Sequence, residues 1–140
     1  MSTAPSPLRL TLHGPQVRES AGPFPVTARF TNVSTQPVRI LPVFDPLPVF
    51  FTTSLELISD GEVDVVGAGK ADFPDGFLRH EDLGAGESRD ATLDLRPWIR
   101  GTVVPGLYRL TLTYHNAYGD DCFRGPLTSA PITIEIKGTP

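Results

Sequence analysis

From position 108 the chain alternates strictly: Tyr108, Leu110, Leu112 and Tyr114 fall on one side, and Arg109, Thr111 and Thr113 on the other. A period of two is that of a β-strand with one buried and one wet face. The Pro-Gly pair at 105–106 supplies a turn into it, and the pattern predicts a central strand of an antiparallel sandwich. Residues 8–12 alternate as a short first strand, turned by His13-Gly-Pro15. After a polar link, 24–30 place Phe24, Val26, Ala28 and Phe30 inward, and the Asn-, Ser- and Thr-rich stretch 31–37 predicts a hairpin back along 38–41. Residues 51–58 predict a strand closed by Ser59-Asp-Gly61, with 62–66 returning. Residues 67–76 are the most loop-like stretch, and 77–83 hold a short strand before Gly84-Ala-Gly86. Then 88–95 alternate with Ala91, Leu93 and Leu95 inward. Pro97-Trp98-Ile99 forms a single helical turn that caps one end of the core with the only tryptophan, and the last strand covers 132–136.

One segment breaks the rhythm. Residues 41–51 are strongly apolar yet carry three prolines, at 42, 46 and 48, which forbid a regular central strand or helix. They predict an irregular crossing that plugs the open end of the core with Val43, Phe44, Leu47 and Phe50. The sharper reading leaves part of it, Phe44 and Leu47 foremost, exposed as a docking patch.

The short alternating runs, with turn signals between them and no amphipathic helix, predict an all-β fold: one antiparallel, immunoglobulin-like Greek-key sandwich of about eight strands. The 15 prolines and 13 glycines leave little room for long helices. With 140 residues the chain has the size of one domain that buries roughly 70% of its unfolded surface. The expected division is a flexible arm over 1–7, the sandwich over 8–137 and a flexible tail over 138–140.

Charge and chemistry narrow the function. A net charge of −4 speaks against nucleic-acid binding. The single cysteine, Cys122, excludes an internal disulfide and is compatible with a reducing compartment. The beginning of the sequence has no basic region followed by an apolar one, and nowhere do about 18 apolar residues run together. Neither signal peptide nor membrane span is expected, and the expected location is cytoplasmic, or exported if the native N-terminus was trimmed. Of the three histidines, His13, His80 and His115, none is spaced as a metal pair. His80-Glu-Asp82 and Asp120-Asp121-Cys122 read as solvated loops rather than sites, although Arg124 is placed to lower the Cys122 pKa. Calcium through Asp72, Asp75, Asp120 or Asp121 lacks a spaced loop motif. Gly-x-Ser-x-Gly, Walker and Gly-x-Gly-x-x-Gly signatures are missing. No enzyme, cofactor or metal is expected, and the sequon Asn32-Val-Ser34 is not expected to carry a glycan.

The order Leu-x-Leu-x-Gly-Pro at 10–15, Phe30-Thr-Asn-Val-Ser-x-x-Pro-Val38, Leu83-Gly-Ala-Gly-Glu-Ser88 leading into Leu93-Asp-Leu95, Pro105-Gly-x-Tyr108 and Leu127-Thr-Ser129 resembles bacterial immunoglobulin-like or fibronectin-III-like accessory domains. It is particularly similar to the non-catalytic domain that precedes deuterolysin-type or peptidyl-Lys zinc peptidases. The catalytic His-Glu-x-x-His of those enzymes has no counterpart here, so the resemblance implies architecture and carries over no catalytic residue. Tyr108 resembles a tyrosine corner, and Leu110 occupies the place of an immunoglobulin's second cysteine.

What remains is binding. The loop 115–126 joins the last two strands and offers Tyr118, Asp120, Asp121, Phe123 and Arg124, residue types common at interfaces; the alternative is that Phe123 folds back onto the core. Three functions stand. The first is a non-catalytic protein-binding or assembly module that uses end loops, the apolar crossing or a free edge strand. The second is a β-sandwich proteinase inhibitor. The third is a carbohydrate-binding module using Trp98, Tyr114 and Tyr118. Self-association through edge strands also fits such a sandwich.

Overall fold

The computed structural model describes residues 6–19, 22–44, 47–63, 65, 79–100, 103–116, 118 and 122–138. Among them the chain is all-β, in two facing sheets. One contains β1 (Leu8–His13), β3 (Pro25–Asn32) and β8 (Ser88–Asp94), in the order β1-β3-β8. The other runs in the order β2-β11-β9-β5-β6, formed by β2 (Val17–Glu19), β5 (Phe51–Leu57), β6 (Gly61–Val63), β9 (Gly106–Tyr114) and β11 (Ile132–Lys137). A short β10 (Leu127–Thr128) pairs with the far end of β9. This is the arrangement of an immunoglobulin-like sandwich.

β9 lies between β5 and β11, as its alternation predicts, and Tyr108, Leu110, Leu112 and Tyr114 all point into the core. Leu110 is fully buried and pairs across the sheet with Leu55 and Ile132. The Tyr108 hydroxyl donates a hydrogen bond to the Val104 carbonyl, four residues upstream. The β5–β6 hairpin turns through Gly61, whose φ of 107° suits glycine.

Between the sheets an aromatic group replaces the missing disulfide. Phe30 on β3 meets Tyr114 on β9 edge to face at 5.0 Å and stacks on Phe44 at 5.2 Å, while Phe51 on β5 lies 5.5 Å from Tyr114. Such pairs add about 0.5–1.5 kcal/mol each beyond their buried area. Burial pushes the Tyr114 phenol well above its ordinary pKa.

Three expectations change. First, the polar link after β1 contains β2, which runs parallel to β11 from Val17↔Glu135 to Glu19↔Lys137. It was hidden because its inward residue is Arg18, which is 7% exposed, lies 4.5 Å over the Phe24 ring and donates to the Pro15 carbonyl. A cation at an inward position erases the apolar alternation that marks a strand.

Second, 31–41 is not a hairpin. β4 (Val38–Ile40) pairs with β7 (Glu81–Leu83), and β3 pairs with β8. β3–β4 and β7–β8 therefore form one bent ribbon, whose register shifts by two residues at the bend. Asn32 makes the bend. It is 1% exposed, its amide nitrogen donates to the carbonyls of Gln36 and Leu83, and its oxygen accepts from the Ser34 N–H and hydroxyl. A glycan on that nitrogen would displace its bonds to Gln36 and Leu83.

Third, the proline-rich crossing closes with one helical turn, α1 (Leu47–Phe50). Pro48 lies in its first turn, where a missing N–H costs nothing. Leu47 and Phe50 are buried, and Val43 and Phe44 are half-buried against the core. The crossing is a plug, and Leu47, 2% exposed, offers no surface for docking.

The sequence-stretch 67–76 and the first residues of the expected strand at 77–83 lie outside the described residues, as do 1–5. Pro7, the last residue of the expected arm, accepts a hydrogen bond from the Val33 N–H through its carbonyl. The expected tail is described only at Gly138.

Replacing Tyr108 by Phe leaves the Val104 carbonyl without its partner. The expected loss is about 1–2 kcal/mol, read as a lower urea midpoint at unchanged slope. An unaltered midpoint would show that this bond contributes nothing.

Candidate functional site

The end loop that follows β9 is fixed by Asn116, a residue that no sequence motif singles out. Its side chain is 4% exposed. The amide nitrogen donates to Cys122 Sγ at 3.3 Å, the amide oxygen accepts from the Tyr118 N–H at 2.9 Å, and the backbone N–H donates to the Arg124 carbonyl. One buried residue thus holds three points of the loop, two by its side-chain amide and one by its backbone. Gly125 ends it with a φ of 88°, where an added Cβ would stand 2.4 Å from the Tyr114 carbonyl oxygen.

The aromatic residues of this loop turn inward. Phe123 stacks on Tyr114 at 6.3 Å with planes 10° apart, and its N–H donates to the Arg39 carbonyl. Tyr118 rests 6.0 Å from Phe50. Both are half-buried against the core, while Arg124 is exposed. Asp120 and Asp121 lie outside the described residues, as do Asp72 and Asp75. The carbohydrate row fails as drawn, because Tyr114 is 2% exposed on the inner face of its sheet. Cys122 is half-buried with its sulfur held by Asn116. Among the described residues no three His, Cys, Asp or Glu side chains gather as a metal set would.

A different feature brings predicted residues together. Trp98, in the 3₁₀ turn Arg96–Trp98, and Phe44 and Leu47 of the crossing line a groove of about 310 Å³ along the open edge of β8, with Ala91, Thr92, Leu93 and Asp94 as its floor. The ladder explains the edge. Leu95 N–H donates to the Phe24 carbonyl, and Asn32 N–H to the Glu87 carbonyl, so the odd-numbered residues of this strand face β3. By antiparallel alternation, the N–H and C=O groups of Ser88, Asp90, Thr92 and Asp94 point away from β3. They have no hydrogen-bond partner among the described residues. β7 precedes β8 in the chain and would be its natural neighbour, but it pairs with β4 instead.

The outer face of this edge is ordered in cross-strand rows. Thr31 and Ser88 hydroxyls meet at 2.9 Å, and Arg29 donates two hydrogen bonds to Asp90, at 2.7 and 3.1 Å. Thr27 and Thr92 hydroxyls meet at 3.4 Å. Asp94 Oδ1 accepts from the backbone N–H groups of Phe24 and Arg96. The Arg29 hydrogen bonds hold the Asp90 carboxyl below its ordinary pKa.

Two outcomes are expected. Asn116→Ala should speed amide exchange across 116–124 about tenfold while β5 and β9 keep their protection; a uniform change would mean that Asn116 is an ordinary core residue. Because the folded Asp90 value is depressed, its pair stabilises above the unfolded value of about 3.9 and is lost as pH falls through the lower folded value. In an NMR titration the Asp90 midpoint should lie below about 3.9 and rise in Arg29→Ala, and equal midpoints would dismiss the pair.

No family model matches this chain, and no curated protein matches it. Solved structures do. A CARDB domain of a Pyrococcus furiosus protein, determined in complex with di-metal ions, superposes with a TM-score of 0.44 at 12% identity, covering 93% of this chain and 87% of that one. The Pseudomonas fluorescens alkylpurine DNA glycosylase AlkC, bound to DNA containing an abasic site analog, gives 0.48 at 14% identity over 96% of this chain. A Listeria innocua β-glucosidase in complex with glucose gives 0.45 at 15% identity over 94%. The chain spans 31% of the glycosylase and 16% of the glucosidase.

Proposed function

We propose that this chain is a non-catalytic module that binds a protein partner through the edge of β8. The observation that carries the reading is the row of backbone groups on Ser88, Asp90, Thr92 and Asp94 that have no partner among the described residues, beside the groove walled by Phe44 and Trp98. An exposed strand edge is a template for an added strand, and side pockets give such an addition its selectivity. The strand is seven residues long, an edge of about 23 Å. This suits the accessory role that the sequence resemblance implies, and a partner that proved to be a protease would make the module an inhibitor.

The test uses Thr92→Pro. The Thr92 N–H points away from β3, so proline removes an edge donor without touching the ladder. The variant should keep its circular dichroism and urea midpoint. Intact chain, Thr92→Pro and a loop variant, Arg124→Ala, are used to capture partners from lysate. A partner kept by the intact chain and by Arg124→Ala, and lost by Thr92→Pro, is the expected result. Retention by Thr92→Pro would refute the edge, and loss in Arg124→Ala alone would move the site to the end loop.

A further inference from the structure

Resting on the edge-strand reading, we infer that the occupant of the β8 edge is an extended segment of a partner protein in which basic residues alternate with apolar ones. Successive side chains of a strand point to opposite faces, so a segment laid along β8 presents one set to the outer face and the other to the groove. On the groove side it meets the half-buried rings of Phe44 and Trp98, which suit apolar side chains. The outer side extends the cross-strand rows by one member. The row Thr11–Arg29–Asp90 ends on a carboxylate, and its next member is a cation, since opposite charges side by side stabilise a sheet and like charges destabilise it. Four residues on, about 13 Å away along the strand, Asp94 presents a second carboxylate, whose Oδ2 has no hydrogen bond among the described residues. Between them Thr92 ends the row His13–Thr27–Thr92 with a hydroxyl, which asks for a small polar or hydroxyl neighbour.

The same arrangement disfavours a second copy of this chain. Two β8 edges joined antiparallel would gather Asp90 and Asp94 of both copies on one face of the merged sheet. Charged residues on an edge strand act against such self-pairing, and a basic segment turns that repulsion into attraction.

The probe is a synthetic peptide of about eight residues, long enough to cover the strand, in which lysine and leucine alternate. The controls are the same peptide with glutamate for lysine, and the lysine peptide N-methylated at alternate backbone nitrogens. Trp98 is the only tryptophan and lines the groove, so its fluorescence reports occupancy directly. The lysine peptide should give a saturable spectral shift and bind at least about tenfold tighter than the glutamate peptide. Added salt should weaken it. One of the two N-methylation registers, and Thr92→Pro, should abolish the shift. Equal binding of the lysine and glutamate peptides overturns the proposed chemistry, as does sedimentation showing a dimer of the intact chain that Thr92→Pro dissolves. Failure of the lysine peptide, with a captured protein still lost by Thr92→Pro, refutes the partner chemistry and leaves the edge reading standing. Persistence of both in Thr92→Pro removes both.

Discussion

The two sheets are held face to face by the contact of Phe30 with Tyr114, and much of the molecule is arranged around it. A sandwich of this type often carries a disulfide between its sheets, and a chain with one cysteine has none. Interlocked rings supply part of the same cohesion by burial and edge-to-face geometry. They also recruit their neighbours: Phe44 of the crossing and Phe123 of the end loop both stack on this group. The aromatic residues Tyr118 and Phe123 of the end loop are therefore engaged with the core.

The fold was legible where side chains alternate without interruption. β9, β5 and β8 follow the pattern of Leu110, Leu55 and Leu93, and each of these side chains is buried. Legibility failed where one residue changes the direction of the chain. Asn32 reads as turn chemistry, and a turn suggests a hairpin; in three dimensions its amide clamps the carbonyls of Gln36 and Leu83 and sends β4 onward. β2 was hidden by the inward Arg18. For the candidate site, local sequence could name Trp98, Phe44 and Leu47 as unusual but could not place them beside one strand, because they come from segments about 45 residues before the groove's floor and just after it. An open edge has no sequence signature, since it is the result of where β7 goes.

The bent ribbon has two effects at once. It lets β3 pair with β8 and β4 with β7 on either side of the bend, which keeps their facing backbone groups paired, and it leaves β8 without a neighbour on its outer side among the described residues. Edge strands of this length are usually blunted by charge or by bulges. Here the outward side chains include Asp90 and Asp94, while the groove beside them is walled on one side by Phe44 and Trp98. On the proposed reading, such an edge is closed to an identical edge and open to a segment of opposite charge.

Arg18 shows where the chain has stability in reserve. Its guanidinium is desolvated between the sheets, burial lowers its pKa, and both terminal nitrogens lack a hydrogen-bond partner. A cation in that setting is held at a cost that its contact with Phe24 only partly offsets. An unbranched apolar side chain at this position would keep the packing on Phe24 and shed the desolvation. Evolution toward higher thermal tolerance has an open step there, one that would also remove a positive charge acting on Asp94 at the end of β8.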